Sequence, residues 1–185
     1  MFSMAMVQTL IPAFSQLLTP EKKQELKELF SRTVKISLLG VIPSIMILLV
    51  IAEPFFTIWA GKDFGRDSIY PFFILLIGIF FSFFVYVPNC VLMASGRSDV
   101  FARFYLVEVL PYIIVTFLLI KYFGILGAAM AFSIKEVVNS LVFIRFTRKY
   151  TGLSYNFREH LGSHALGIIV FLPTVFVALF YNNFS

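Results

Sequence analysis

Four residues that could do chemistry stand inside apolar stretches: Glu108, Lys135, Glu136 and Asn139. A charge at the centre of a bilayer costs at least about 2.5 kcal/mol unless it is paired or faces water. Charged residues at such positions therefore usually belong to a substrate-binding site or an ion pathway. We expect Lys135 to face a water-filled cavity and attract an anionic headgroup, and Glu108 or Glu136 to carry a coupling proton. Asn139 follows Lys135 by one turn and shares its helix face.

A structural role for these residues is the alternative. At 1.5 Å per residue, Glu108 lies roughly 10 Å and Lys135 roughly 13 Å above the cytoplasmic ends of their helices. At such similar depths the two could form a buried pair that only fixes one helix against the other. The sequence leaves both interpretations open.

Other chemistries find no support in the sequence. Cys90 is the single cysteine, so neither a disulfide nor a thiolate cluster can form within the chain. His160 and His164 are four residues apart, but no third metal ligand accompanies them. The sequence contains no glycine-rich phosphate loop and no Ser, His, Asp constellation. We therefore predict no enzymatic activity, no catalytic residue, no metal and no cofactor.

The elements that must position these residues are membrane helices. The 29 residues from Ser68 to Gly96 contain no Lys, Arg, Asp or Glu, whereas roughly 20 apolar residues are enough to cross a bilayer as a helix. Charged residues make up only 14% of the chain, against about 25% in soluble domains. This composition is typical of a multi-pass protein of the cell membrane.

Five full spans can be read from the sequence, near 36–59, 69–94, 101–120, 122–144 and 165–181. Backbone amides in lipid must be bonded within their own segment, so the predicted fold is all-α, a polytopic transmembrane helix bundle forming one membrane domain over residues 1–185. Residues 1–18 contain Pro12 and are too short to span, so we interpret them as the cytoplasmic end of a truncated N-terminal helix. Residues 19–35 begin with Thr19 and Pro20, a helix-start signal, and predict a separate cytoplasmic interfacial helix.

The third and fourth predicted spans are joined by only about four residues, Lys121 to Gly124. Such a short connection predicts a tight antiparallel hairpin. Small residues follow at Gly124, Gly127, Ala128 and Ala131, in a pattern that lets a neighbouring helix approach closely. We predict a packing face there.

The basic residues are distributed unevenly between the two ends of the predicted spans. Of the 15 Lys and Arg, 11 fall before the first full span, between the second and third or in the first turn of the third, or between the fourth and fifth. The positive-inside rule makes those connections cytoplasmic. Topology thus accounts for the net charge of +5, and no nucleic-acid partner is implied.

Three sequence runs, taken together, resemble the C-terminal half of polysaccharide-biosynthesis flippases, of the multidrug/oligosaccharidyl-lipid/polysaccharide exporter superfamily. The runs are Leu10 to Ser15, Pro88-Asn89 with Ala94 to Arg97, and Tyr122 to Ala129. The resemblance implies one lobe of a two-lobed flippase that moves a lipid-linked oligosaccharide from the inner to the outer leaflet by alternating access. Its implied partners are the lipid-linked glycan substrate, membrane lipids and the missing N-terminal lobe of the same transporter.

Several other functions fit the same sequence. A multidrug exporter or a peptidoglycan-precursor flippase of this superfamily would share the fold. A membrane-embedded glycan polymerase or ligase would share the hydropathy, although such enzymes are expected to carry a long outer loop that this sequence lacks. A non-transporting remnant is the remaining alternative.

Overall fold

The computed structural model describes residues 2–153, and this part of the chain is all-α. Its elements are α1 (Phe2–Leu17), a 3-10 turn (Pro20–Lys22), α2 (Lys23–Ala60), α3 (Lys62–Ala94) and α4 (Ser98–Thr151). The predicted span 165–181, together with His160 and His164, lies outside the described residues.

Three described segments are long and apolar enough to cross a membrane: Pro20–Ala60, Lys62–Ala94 and Ser98–Thr151. The prediction of about five separate spans is therefore not confirmed. The predicted spans 101–120 and 122–144 both fall within α4, where the backbone leaves the helical conformation only at Gly124. The residues from Asp63 to Asp67, which fall between the first and second predicted spans, form the first turns of α3, and Gly61 alone separates α2 from α3.

The element α4 doubles back on itself at Gly124. Gly124 has φ 57° and ψ −132°, a conformation that side chains disfavour and glycine adopts readily. Residues before Gly124 contact residues after it in reverse order, as in an antiparallel pair of helices. The Phe104 ring lies 5.2 Å from that of Phe143, and Lys135 Nζ lies 5.2 Å from the Tyr112 ring. The predicted hairpin is confirmed, with a first arm over residues 98–123 and a second arm over 125–151.

Small residues bring the two arms of α4 together near the turn. A Cβ atom added to Gly127 would collide with the backbone of Leu119 on the first arm. Ala131, one turn further, is also buried. Gly124 itself is exposed and supplies the turn, so Gly127 is the predicted small residue that makes the close contact with the first arm.

Residues 19–35 do not form a helix of their own, contrary to the prediction. The 3-10 turn begins at Pro20 as expected, although Thr19 makes no side-chain capping bond. From Lys23 onward α2 continues unbroken to Ala60, because its buried stripe of Leu26, Phe30, Leu38 and Ile45 keeps helical spacing through the expected boundary. At 1.5 Å per residue α2 is nearly twice as long as the bilayer core is thick, so its charged start extends beyond it.

The central element α3 packs against all three other helices. Its C-terminal half contacts α1 and α2 through a cluster that includes Phe14, Phe30 and Val91. On the α4 side, the Ser133 hydroxyl donates a hydrogen bond to the Ile74 carbonyl of α3, and Gly78 leaves room for Phe132 and Ser133. The second arm of α4 is thereby fixed on α3, and this arm carries Lys135.

Candidate functional site

The hairpin in α4 brings the four predicted site residues together. Glu108 comes from the first arm, whereas Lys135, Glu136 and Asn139 come from the second. The side-chain amide of Asn139 lies near the Glu108 carboxylate, and the two groups interact across the hairpin. This grouping, which we call the charged cluster, follows from the turn position, since Gly124 sets which residues of the two arms stand opposite each other.

Lys135 is neutralised by its neighbour in sequence. Its Nζ lies 3.0 Å from Glu136 Oε1, with side chains 25% and 12% exposed. The ammonium also lies over two aromatic rings, 5.2 Å from that of Tyr112 and 5.6 Å from that of Phe132, distances at which cation–π attraction operates. Lys135 is thus held from several sides and keeps a quarter of its side chain accessible.

The direct pair between Lys135 and Glu108, which the structural alternative predicted, is not formed in the described part of the chain. Lys135 takes Glu136 as its partner, while Glu108 acts on both groups only through longer-range electrostatic interaction. Two carboxylates therefore accompany one ammonium, and the charged cluster is not neutral when all three groups are ionised.

Sequence reasoning missed three residues of this region: Asn89 on α3, and Tyr105 and Tyr112 on the first arm of α4. The Tyr105 hydroxyl lies near the Asn89 side chain and within electrostatic range of all three charged groups of the cluster. Two signals in the sequence could have indicated them. Asn89 is the single amide in an otherwise apolar stretch. Tyr105 precedes Glu108 by three residues and Tyr112 follows it by four, a spacing that places side chains on the same helix face. The polar region therefore links α3 to both arms of α4.

Two amide oxygens in this region have no hydrogen-bond partner in the described chain, Oδ1 of Asn89 and Oδ1 of Asn139. Asn139 is almost completely buried, with 2% of its surface exposed. A buried polar atom without a partner is costly, so each of these oxygens calls for a partner such as a water molecule.

The remaining reactive groups stand apart from this region. Cys90 is buried in the contact of α3 with α1 and α2. Over residues 2–153, no three His, Cys, Asp or Glu side chains converge as metal ligands. Two open clefts of about 420 and 470 Å³ lie along the charged start of α2, the second also bordered by the end of α4.

Comparison with known proteins gives three distant relatives. The chain is 28% identical over 119 residues to a Shigella flexneri protein assigned as an O-antigen transporter, covering 64% of this chain and 28% of the relative. It is 27% identical over 161 residues to Agl15 of Haloferax volcanii, assigned as a low-salt glycan biosynthesis flippase, covering 86% and 34%. It is 26% identical over 149 residues to the capsular polysaccharide biosynthesis protein CapF of Staphylococcus aureus, covering 80% and 37%.

These matches cover most of this chain but only about a third of each relative. No family model matches the sequence, and no solved structure matches it. Membrane helices and all three relatives nevertheless agree with the resemblance seen in the sequence. The chain is a multi-pass membrane protein distantly related to the transporters and flippases of polysaccharide and glycan biosynthesis.

Proposed function

We propose that this chain is the C-terminal part of a transporter that moves a lipid-linked oligosaccharide from the inner to the outer leaflet during polysaccharide biosynthesis, by alternating access. The names of the relatives support this substrate class, since they refer to an O-antigen, a glycan and a capsular polysaccharide. None of the three refers to a drug or to polymerisation. The chain spans only about a third of these proteins, so the proposal includes an N-terminal lobe as partner.

The charged cluster is the observation that carries the proposal. An ammonium within a membrane helix is retained at a cost of at least about 2.5 kcal/mol unless it is compensated, and Lys135 is compensated yet a quarter exposed. Lipid-linked oligosaccharides of this class are joined to their lipid through phosphate groups, which a lysine binds as a point charge. Lys135 is the proposed headgroup contact, Asn139 a neighbouring polar contact, and Glu108 and Glu136 the candidates for a coupling proton.

The test is transport by the chain alone and by the chain co-expressed with the N-terminal portion of a full-length relative, such as the Shigella flexneri protein. Flipping of a fluorescent lipid-linked oligosaccharide is followed in proteoliposomes by its accessibility to an added quencher. We expect no transport by the chain alone and transport by the assembled pair. A co-purifying pair that fails to move the lipid, while the complete relative moves it, would contradict the proposal.

A further inference from the structure

The ion pair in the charged cluster has an unfavourable geometry for a helix. Lys135 and Glu136 are consecutive residues of α4, and consecutive helical side chains point about 100° apart. Both long side chains must bend towards each other for Nζ and Oε1 to meet at 3.0 Å. Their spacing along the helix does not favour the contact. The ion pair is held together because the apolar surroundings penalise an isolated charge.

The ammonium has a second set of contacts that does not depend on Glu136. The rings of Tyr112 and Phe132 lie 5.2 and 5.6 Å from Nζ, and an aromatic face attracts a cation whether or not a carboxylate is present. Lys135 therefore stays located when its carboxylate partner leaves. Only the Glu136 side chain has to move for the ammonium to become available.

We infer that Glu136 is an internal competitor for Lys135, and that a phosphate or diphosphate headgroup displaces its carboxylate from the ammonium. The inference rests on the proposed function, because it takes the anionic headgroup of a lipid-linked glycan as the occupant. A diphosphate carries more negative charge and more acceptor oxygens than one carboxylate, so it is the stronger partner for a lysine.

This competition has a consequence for turnover. A site along a transport path has to bind well enough to load and weakly enough to release. When the headgroup departs, the ion pair between Lys135 and Glu136 re-forms and offsets part of the binding free energy that is lost. When the next headgroup binds, the same ion pair has to open. Glu136 thus sets the affinity of the site without being a ligand of the substrate.

Glu108 provides a matched comparison within the charged cluster. It interacts electrostatically with Lys135 but at longer range than the direct contact made by Glu136. If the effect of Glu136 were only its negative charge near the site, removing the charge of Glu108 would act similarly. If the direct contact matters, Glu136 has the larger effect. Glu53, an exposed carboxylate on α2, serves as the remote control.

The experiment measures binding of radiolabelled farnesyl diphosphate to the purified chain in nanodiscs, with farnesol as the control that lacks phosphate. We expect Glu136→Gln to bind the diphosphate about fivefold to thirtyfold more tightly than the unmodified chain, the range for release of one such interaction. Glu108→Gln should change the affinity by less than about threefold, and Glu53→Gln should leave it unchanged. Lys135→Gln should abolish binding, and farnesol should not bind measurably to any variant.

A second substitution tests the same contact in case the Glu136→Gln variant does not fold. Glu136→Asp keeps the charge but shortens the side chain by one carbon, which lengthens the contact to Lys135. We expect it to bind the diphosphate more tightly than the unmodified chain and less tightly than Glu136→Gln. Size-exclusion elution and thermal stability, recorded for every variant, show which ones are folded.

The outcomes separate this inference from the function on which it rests. If the unmodified chain binds the diphosphate through Lys135 but Glu136→Gln and Glu136→Asp bind no more tightly, the competitor role is overturned and the proposed substrate class stands. If neither the unmodified chain nor any variant binds the diphosphate, the headgroup role of Lys135 fails, and the competitor role fails with it.

Discussion

Gly127 is the position where one added methyl group should damage the fold most. A Cβ atom there would meet the carbonyl and backbone of Leu119 and the backbone nitrogen of Ile120. Backbone atoms cannot move aside by changing rotamer, so Gly127→Ala has to push the two arms of α4 apart near their turn. At Gly40, within α2, an added Cβ atom meets nothing within 4 Å, which makes Gly40→Ala the matched control.

Two opposing terms set the size of the effect. Alanine is a better helix former than glycine by about 1 kcal/mol, and this gain applies at both positions. Overpacking a well-packed contact costs about 1–3 kcal/mol, and a rigid backbone contact belongs at the upper end of that range. We therefore expect Gly127→Ala to lower the free energy of unfolding by about 2 kcal/mol, and Gly40→Ala to leave it unchanged or raise it by up to about 1 kcal/mol.

The single cysteine provides a native reporter for this measurement. Cys90 is 1% exposed, so a thiol-reactive fluorophore labels it only when the bundle opens. A loss of about 2 kcal/mol corresponds to an opening equilibrium raised about thirtyfold. Labelling of the Gly127→Ala variant should accelerate accordingly, whereas Gly40→Ala should label no faster than the unmodified chain. Equal labelling of the two variants would refute the close contact between the arms at Leu119.

Three further predictions test other contacts of the fold. Trp59 is the only tryptophan in the sequence and is 71% exposed near the C-terminal end of α2. Its fluorescence should be quenched most by lipids brominated near the headgroup, and quenching by acrylamide alone would contradict this position. Ser133→Ala removes the hydrogen bond to the Ile74 carbonyl and should lower the free energy of unfolding by about 0.6 kcal/mol. The Ser44 hydroxyl bonds to the Gly40 carbonyl of its own helix, so Ser44→Ala should cause no measurable loss. Phe143→Ala empties a buried position between Phe101 and Phe104 and should cost about 3 kcal/mol; a melting temperature equal to that of the unmodified chain would show that the arms do not pack there.

The helical class and the hairpin could be predicted from the sequence because their causes are local. An uncharged run longer than the bilayer is thick allows only a membrane helix, and α3 follows from it. A four-residue connection between apolar segments leaves room only for a reversal, which Gly124 provides. Once that turn is placed, helical spacing alone brings Glu108 level with Asn139.

The element boundaries could not be predicted in the same way. The charged residues from Asp63 to Asp67 fall between two predicted spans, yet they lie in α3, because a helix readily continues beyond the bilayer into water and carries charges there. Residues 19–35 indicated a separate helix, yet no glycine or proline interrupts the backbone between Lys23 and Leu39, so α2 stays continuous. Charge marks where the membrane ends, whereas backbone chemistry decides where a helix ends.

The partner of Lys135 also lay beyond sequence reasoning. Equal depth in the two arms favoured Glu108, and helical spacing argued against the adjacent Glu136. Side-chain length overrides that spacing, because both Lys and Glu can bend far enough to meet at 3.0 Å. Asn89 and Tyr105 were missed for a related reason, since they lie on different helices and their proximity depends on how α3 and α4 pack.

The role of Lys135 in transport is the central claim, and one measurement tests it most directly. Transport of a lipid-linked oligosaccharide is recorded for the assembled transporter carrying Lys135→Ala, Glu136→Ala or both, together with the amount of folded protein in the membrane. We expect Lys135→Ala to abolish transport while the protein remains as abundant as the unmodified one. If each single substitution instead lowers abundance and the double substitution restores both abundance and transport, the pair is structural and Lys135 is not the substrate contact.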